Sequence, residues 1–215
     1  MGRMAATETT SARPYRGVEP ADRLAERRGR LLRAGLDLLG ASEQEWSELT
    51  VRAICRRAGV TARYFYESFA DKDAFVSAVF DWVVADLAHA TQASVDAVSP
   101  DQQSRAGMSN IVQTISGDPR VGRLLFSAHL TDPVLVRKRV ESTALFATLL
   151  GRHAGQVSRI PENDRIAAAA HFVVGGVGQT ISAWLAGAVS LTPDELVEQL
   201  TTTLDRLADP ALYRD

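Results

Sequence analysis

The sequence predicts an all-α protein, an N-terminal helix-turn-helix domain followed by a helical bundle, and three observations predict it. Apolar residues recur at helical spacing along most of the chain. Beyond residue 90, four pairs of a capping residue and proline (Ser99-Pro100, Asp118-Pro119, Asp132-Pro133, Thr192-Pro193) mark helix starts. No stretch alternates apolar and polar residues between turn signals as a strand would.

The elements follow in order. Residues 1 to 19 are polar and aperiodic and read as a mobile arm, whose Arg13 and Arg16 could touch a polyanion. From Pro20, Leu24, Leu31, Leu32, Leu36 and Leu39 share one helical stripe, with Gly40 as a stop. Thr50 has N-cap chemistry, and Val51, Ile54, Cys55 and Ala58 form one face of a short second helix that Gly59 ends. Thr61 can cap a third helix after so short a turn that the two must cross at a large angle, the helix-turn-helix geometry. A fourth helix from about Asp71 carries Phe75, Val79, Trp82, Val83 and Leu87, and the DNA-binding domain is expected to span 20 to 90. In the remainder, 91 to 215, Ser99 with Gln102 and Thr192 with Glu195 read as capping boxes. Met108, Ile111, Val112 and Ile115 line one helix, and Val121, Leu124, Leu125 and Ala128 the next.

Composition narrows the function classes. The 215 residues are 46% hydrophobic and 23% charged, enough for a buried core. No apolar run is expected to approach the roughly 20 residues that span a bilayer, and no signal-peptide core is visible. A cytoplasmic protein without a membrane partner is therefore expected. Cys55 is the sole cysteine, which excludes an internal disulfide and a cysteine-rich zinc site. His89, His129, His153 and His171 never fall three or four residues apart, so no metal is expected. Phosphate loop, nucleophile elbow and catalytic carboxylate pair are all missing, so neither a catalytic residue nor a cofactor is expected and an enzyme is disfavoured.

The net charge of -2 conceals an asymmetry: residues 1 to 63 carry 12 arginines against 8 acids, while the rest carries 12 basic residues against 18 acids. A basic N-terminal module on an acidic body suggests that one end meets a polyanion.

The stretch Trp46 to Phe75, WSELTVRAICRRAGVTARYFYESFADKDAF, resembles the DNA-binding domain of the TetR (tetracycline repressor) family of bacterial regulators. Trp46, Leu49, Thr50, Val51, Ile54, Ala58, Gly59, Val60, Thr61, Tyr64, Phe65, Tyr66, Phe69 and Lys72 occupy the places of that family's pattern. Three positions depart from it. Glu67 stands beside the recognition helix where a neutral residue is frequent, an acid that repels phosphate or accepts from cytosine N4; Ala70 replaces a frequent Pro and Glu45 a Gly. The resemblance implies a DNA-binding regulator without enzymatic activity, a homodimer on double-stranded operator DNA that responds to a small effector.

Physical reasoning assigns roles beside that resemblance. Thr50 and Thr61 stand at helix N-termini that favour an anion, and either capping or phosphate contact suits them. Arg52, Ala62, Arg63 and Tyr64 would face the major groove or its rims, and Tyr66 either donates to phosphate or packs. Lys72 opposes the helix dipole at a cost of roughly 0.3 to 1 kcal/mol, which a phosphate contact would explain. Phe65, Phe69 and Cys55 are assigned to core.

In the body, Ile166, Ala170, Val173, Val177, Ile181, Trp184 and Ala188 form a long stripe interrupted by Gly175, Gly176 and Gly178, and Leu196, Leu200, Leu204 and Leu207 follow before Asp209-Pro210. Each glycine costs about 1 kcal/mol of helix propensity, which close approach of another helix would offset. By the resemblance these two segments would pair with a second subunit, through Val173, Val177, Ile181, Trp184, Leu200 and Leu204; an intramolecular core is the alternative. Met108, Phe126, Phe146 and Phe172 offer apolar lining for a small lipophilic effector, and Gln113, His129, His171 and Gln179 could orient it.

Overall fold

The computed structural model describes residues 20–41, 49–127, 130–158 and 163–207. The N-terminal arm, Trp46, Ala128, His129, the side chain of His153 and the Asp209-Pro210 stop lie outside the described parts. Among the described residues the chain is helical and contains no strand. The helices are α1 (Pro20–Leu39), α2 (Val51–Ala58), α3 (Ala62–Ser68), α4 (Lys72–Asp96), α5 (Gln103–Gly117), α6 (Pro119–Phe126), α7 (Pro133–Ser158), α8 (Asp164–Leu185) and α9 (Pro193–Leu207).

Local chemistry sets most of the boundaries. The Thr50 hydroxyl accepts from the Ala53 N–H at 3.1 Å, and Asp71 accepts from Ala74 at 2.7 Å, so α2 and α4 start on side-chain caps. Gly59, at φ 64 and ψ 39, ends α2 in the left-handed conformation that glycine adopts without steric cost. Asp118 and Asp132 cap α6 and α7, and Asn163 caps α8. Thr192 and Glu195 form the reciprocal box at α9: the Thr192 N–H donates to the carboxylate at 2.8 Å, and the Glu195 N–H to the hydroxyl at 3.3 Å. The Thr192 N–H foremost, and the Thr192 hydroxyl that also donates to the carboxylate at 2.9 Å, hold the Glu195 carboxyl below its ordinary range.

Two expected caps differ. Ser99 makes no side-chain cap bond, and Pro100–Gln102 forms a 3-10 turn ahead of α5. Thr61 also makes none; its backbone carbonyl accepts from Tyr64 and Phe65.

Two cores hold the molecule together. The first gathers Leu31, Leu39, Ile54, Phe65, Phe75 and Val79 from α1 to α4 and continues into Leu124 of α6 and Leu135 of α7. Gly35 lets α1 approach α4 closely, since a Cβ there would overlap Val79 and Phe75. α4 runs unbroken past residue 90 to Asp96, so one helix belongs to both the reading head and the body. The second core joins Val112 and Ile115 of α5, Ile181 of α8, and Leu196, Val197 and Leu200 of α9.

That second core corrects part of the expected interface. Ile181 is 1% exposed and Leu200 5%, both packed within their own chain, so neither offers surface to a partner. Val177 and Trp184 pack against the same cluster, and the Trp184 Nε1–H donates to the Leu191 carbonyl at 2.8 Å. The part of the α8 stripe around Ile181 thus faces inward onto α5 and α9, while Ile166 and Ala170 lie against Gly151 of α7.

The expectation about apolar runs also needs correction. α4 and α8 are long and apolar enough to cross a membrane by length and composition. Both put apolar residues into the interior: Phe75, Val76, Val79, Phe80 and Val83 from α4, and Ile166, Ala170 and Ile181 from α8. The apolar character of these helices therefore has a use within the folded chain.

Candidate DNA-binding interface

The third helix is anchored by aromatic packing. Phe65 is fully buried and lies 5.6 Å from Phe69 and 5.4 Å from Phe75 between ring centroids, with Phe69 and Phe75 edge-on at 5.1 Å. Burying one side of so short a helix turns the other side outward. Thr61, Ala62, Arg63, Tyr66 and Glu67 are accordingly exposed, as are Thr50 and Arg52 on the adjoining helix and Lys72 at the start of α4. The three expected core residues Phe65, Phe69 and Cys55 are buried. Burial raises the Cys55 thiol above its ordinary value, which keeps it neutral.

Arg63 is held by Glu67, whose carboxylate accepts from the Arg63 Nε at 2.9 Å one turn away. Tyr64 is half-buried, and the Arg27 guanidinium lies over its ring at 4.2 Å. That stacking commits one face of the ring to α1 and leaves Tyr64 less free to read bases than Arg63. Arg28 lies similarly over Phe69 at 4.6 Å. Arg27 and Arg28 had no place among the expected site residues. The signal for them is weak, since nothing local ties an arginine of α1 to rings more than thirty residues away.

The reading head is tied to the body by charge. Asp37 of α1 accepts from Arg57 of α2 at 2.8 Å and also from Arg120 of α6, and Arg120 donates in turn to Asp118 at 2.6 and 2.9 Å. The Arg120 hydrogen bonds hold Asp118 below the ordinary carboxylate range, and Asp118 in turn raises the Arg120 guanidinium. Arg123 donates to the Gly40 carbonyl, and a Cβ at Gly40 would overlap the Arg120 backbone, so α6 presses on the end of α1.

Among the described residues the expected effector residues differ in exposure and surroundings. Met108 and Phe126 both pack on the second core, and Phe126 also touches the first. Phe146 is half-buried. Gln113, His171 and Gln179 are exposed, and Phe172 is 68% exposed, so these four face outward from the single chain. Of the set, His171 alone lines a small cleft of about 160 Å³, between α7 and α8. Among the described residues no cluster of three or more His, Cys, Asp or Glu could hold a metal.

Similarity to known proteins bears on this geometry. Residues 31–79 match the family model of bacterial regulatory proteins, tetR family, which spans the packed end of α1, both helices of the motif and the start of α4. That match covers 49 of the 215 residues, so the likeness to the family rests on the helix pair and the two helices that flank it.

Solved structures agree on the fold. A TetR-family regulator from Rhodococcus sp. aligns with a TM-score of 0.68 at 16% identity, over 86% of this chain and 100% of that one. One from Syntrophomonas wolfei gives 0.69 at 15%, over 86% and 95%. The transcriptional regulator FadR from Bacillus subtilis, solved in complex with stearoyl-CoA, gives 0.62 at 15%, over 84% and 97%. No curated protein matches the chain.

Proposed function

We propose that the chain is a cytoplasmic, ligand-responsive repressor that binds operator DNA as a homodimer and is released by a small lipophilic effector. The observation that carries the DNA reading is the outward row of Arg52, Thr61, Ala62, Arg63, Tyr66 and Lys72, held by a helix pair whose other side is sealed by phenylalanine. Arg63, with its Nη groups beyond the Glu67 bond, is the base reader; Thr50, Thr61, Tyr66 and Lys72 meet phosphate. Tyr64 braces the helix through Arg27. In a two-fold dimer the half-sites lie about 34 to 36 Å apart or a multiple of that.

The dimer reading rests on a surface that the chain leaves unfilled. Gly175 and Gly176 sit exposed in mid-α8 with open space where a Cβ would be, beside Phe172, and α7 adds exposed Val140, Leu145 and Leu149. Two mid-helix glycines cost about 1 kcal/mol each without internal compensation, which a second copy lying across them supplies. Val173 and Leu204 are half-buried within the single chain. The effector reading draws on FadR, which binds stearoyl-CoA in its solved complex, and on Met108 and Phe126 as apolar lining. Ligand preference for a conformation with mismatched reading heads would lower operator affinity.

The test is selection of binding sites from random duplex DNA, followed by salt titration. Wild type should enrich a two-fold symmetric site, and Lys72→Ala should weaken all sequences while flattening the salt slope by about one unit. Failure to enrich any site, or an unchanged slope, would refute the respective assignment. Candidate acyl ligands added to a preformed complex should release it; tight ligand binding that leaves operator affinity unchanged would remove the effector role.

A further inference from the structure

Between the reading head and the body lies a crevice of about 590 Å³, walled by α1, α2, α4, α5 and α6. Its volume is that of a small-molecule site. None of the residues assigned above to an effector lines it, so it is a different place from the one that the proposed function invokes.

Its walls have two characters. Leu36, Trp82, Val83, Leu87 and Val121 make an apolar side with one large flat ring. Four guanidinium groups, of Arg30, Arg33, Arg57 and Arg120, line the crevice as well. Two are neutralised, since Asp37 binds Arg57 and Arg120, and Asp118 binds Arg120. Arg30 and Arg33, one turn apart on α1, have no ion-pair partner among the described residues. The Nε of Arg30 is moreover buried without an acceptor. A buried donor left unmatched costs free energy that an incoming oxygen would recover. Asp86 is the remaining acid of the crevice; it is exposed and likewise unpaired among the described residues. Two open cations against one open anion favour a ligand with a single negative charge.

We propose that this crevice binds an amphipathic organic monoanion, with a carboxylate on Arg30 and Arg33 and a flat apolar body against Trp82 and Leu87. A guanidinium pair is suited to this because planar N–H forks match carboxylate geometry and form charge-assisted hydrogen bonds. The occupant would bridge α1 and α4 and lie beside Val121 of α6, at the join between head and body.

The experiment is calorimetric titration of the full chain with 2-naphthoate and with its uncharged isostere 2-naphthamide. Wild type should bind the acid roughly tenfold more tightly than the amide. Arg30→Gln combined with Arg33→Gln should make the two affinities equal, whereas Arg137→Gln, on the exposed side of α7, should leave the preference intact. Equal affinities in wild type, or no saturable binding of either compound, would overturn the proposal without recourse to any variant. So would an undiminished preference in the double variant; if that variant instead lowered only the salt slope of DNA binding, the two arginines would be phosphate contacts. Because the readout needs no operator, it can fail or succeed independently of the repressor reading.

Discussion

In the reading head the helices close over Leu31, Ile54, Phe65 and Phe75, and the outward positions of α2 and α3 are mostly polar. In the body, α7 and α8 leave Val140, Leu145, Leu149 and Phe172 exposed while their inner faces are already filled. The head is finished as a single chain and presents a polar, charged surface. The body presents apolar area that a single chain does not use, and large exposed apolar patches usually mark an interaction.

The comparison breaks most sharply at Phe65. Its ring is fully buried among two other phenylalanines, so Phe65→Ala removes both transfer free energy and packing, with an expected loss of about 3 to 5 kcal/mol. Typical whole-protein stability is about 5 to 15 kcal/mol. Chemical denaturation should therefore show a large fall, and because the first core continues into α6 and α7 the transition should stay single. A loss under about 1 kcal/mol would mean that the head's core is not the closed unit described.

At the other end, Phe172→Glu should leave monomer stability nearly unchanged, since the side chain is 68% exposed, yet should dissociate the dimer. Burying an unpaired carboxylate at an interface costs several kcal/mol. Light scattering at micromolar concentration should report a dimer for wild type and a monomer for the variant. A dimer in both would remove this face of α8 from the interface.

The same contrast explains what could be read from the sequence. The head was legible because its geometry is written locally: Thr50, Gly59 and Asp71 set helix ends within a few residues of themselves, and the order of aromatic residues carries the motif. The body's helices were legible for the same reason, through Asp118, Asp132 and Thr192 with Glu195. Which side of α8 faces inward was not, because its stripe of Ile181, Val177 and Trp184 is equally apolar whether the cover comes from α5 and α9 of the same chain or from another subunit. Periodicity measures that a face is apolar and says nothing of what lies across it. Ion pairs such as Asp37–Arg120, spanning 83 residues, leave no local trace at all.

A smaller effect concerns the join between the two regions. Asp118→Asn keeps an oxygen to cap α6 but removes the charge that meets Arg120. The folded-state carboxyl lies below its unfolded value, so its contribution is complete above the ordinary carboxylate range and is lost as the pH falls through the lowered folded value. With the side chain 30% exposed, the expected difference at neutral pH is about 1 kcal/mol after allowance for solvent screening. Wild type and variant should converge as the solution is acidified, and a constant gap across the titration would show that the charge is not what matters.

The smallest expected effect separates two threonines that the sequence makes look alike. Thr50 and Thr61 each precede a helix of the motif, and both are exposed. In the structure the Thr50 hydroxyl accepts from the Ala53 N–H, whereas that of Thr61 makes no cap bond. Thr50→Ala should therefore cost about 1 kcal/mol of stability, the ordinary value of a lost N-cap. Thr61→Ala should cost little, because no intramolecular bond is removed, and should show its effect on DNA instead, lowering operator affinity through a missing phosphate donor. Comparing the denaturation midpoint with operator affinity for the two variants tests this division of labour. Equal destabilisation by both would mean that Thr61 caps α3 in solution, and an unchanged operator affinity for Thr61→Ala would take it out of the interface.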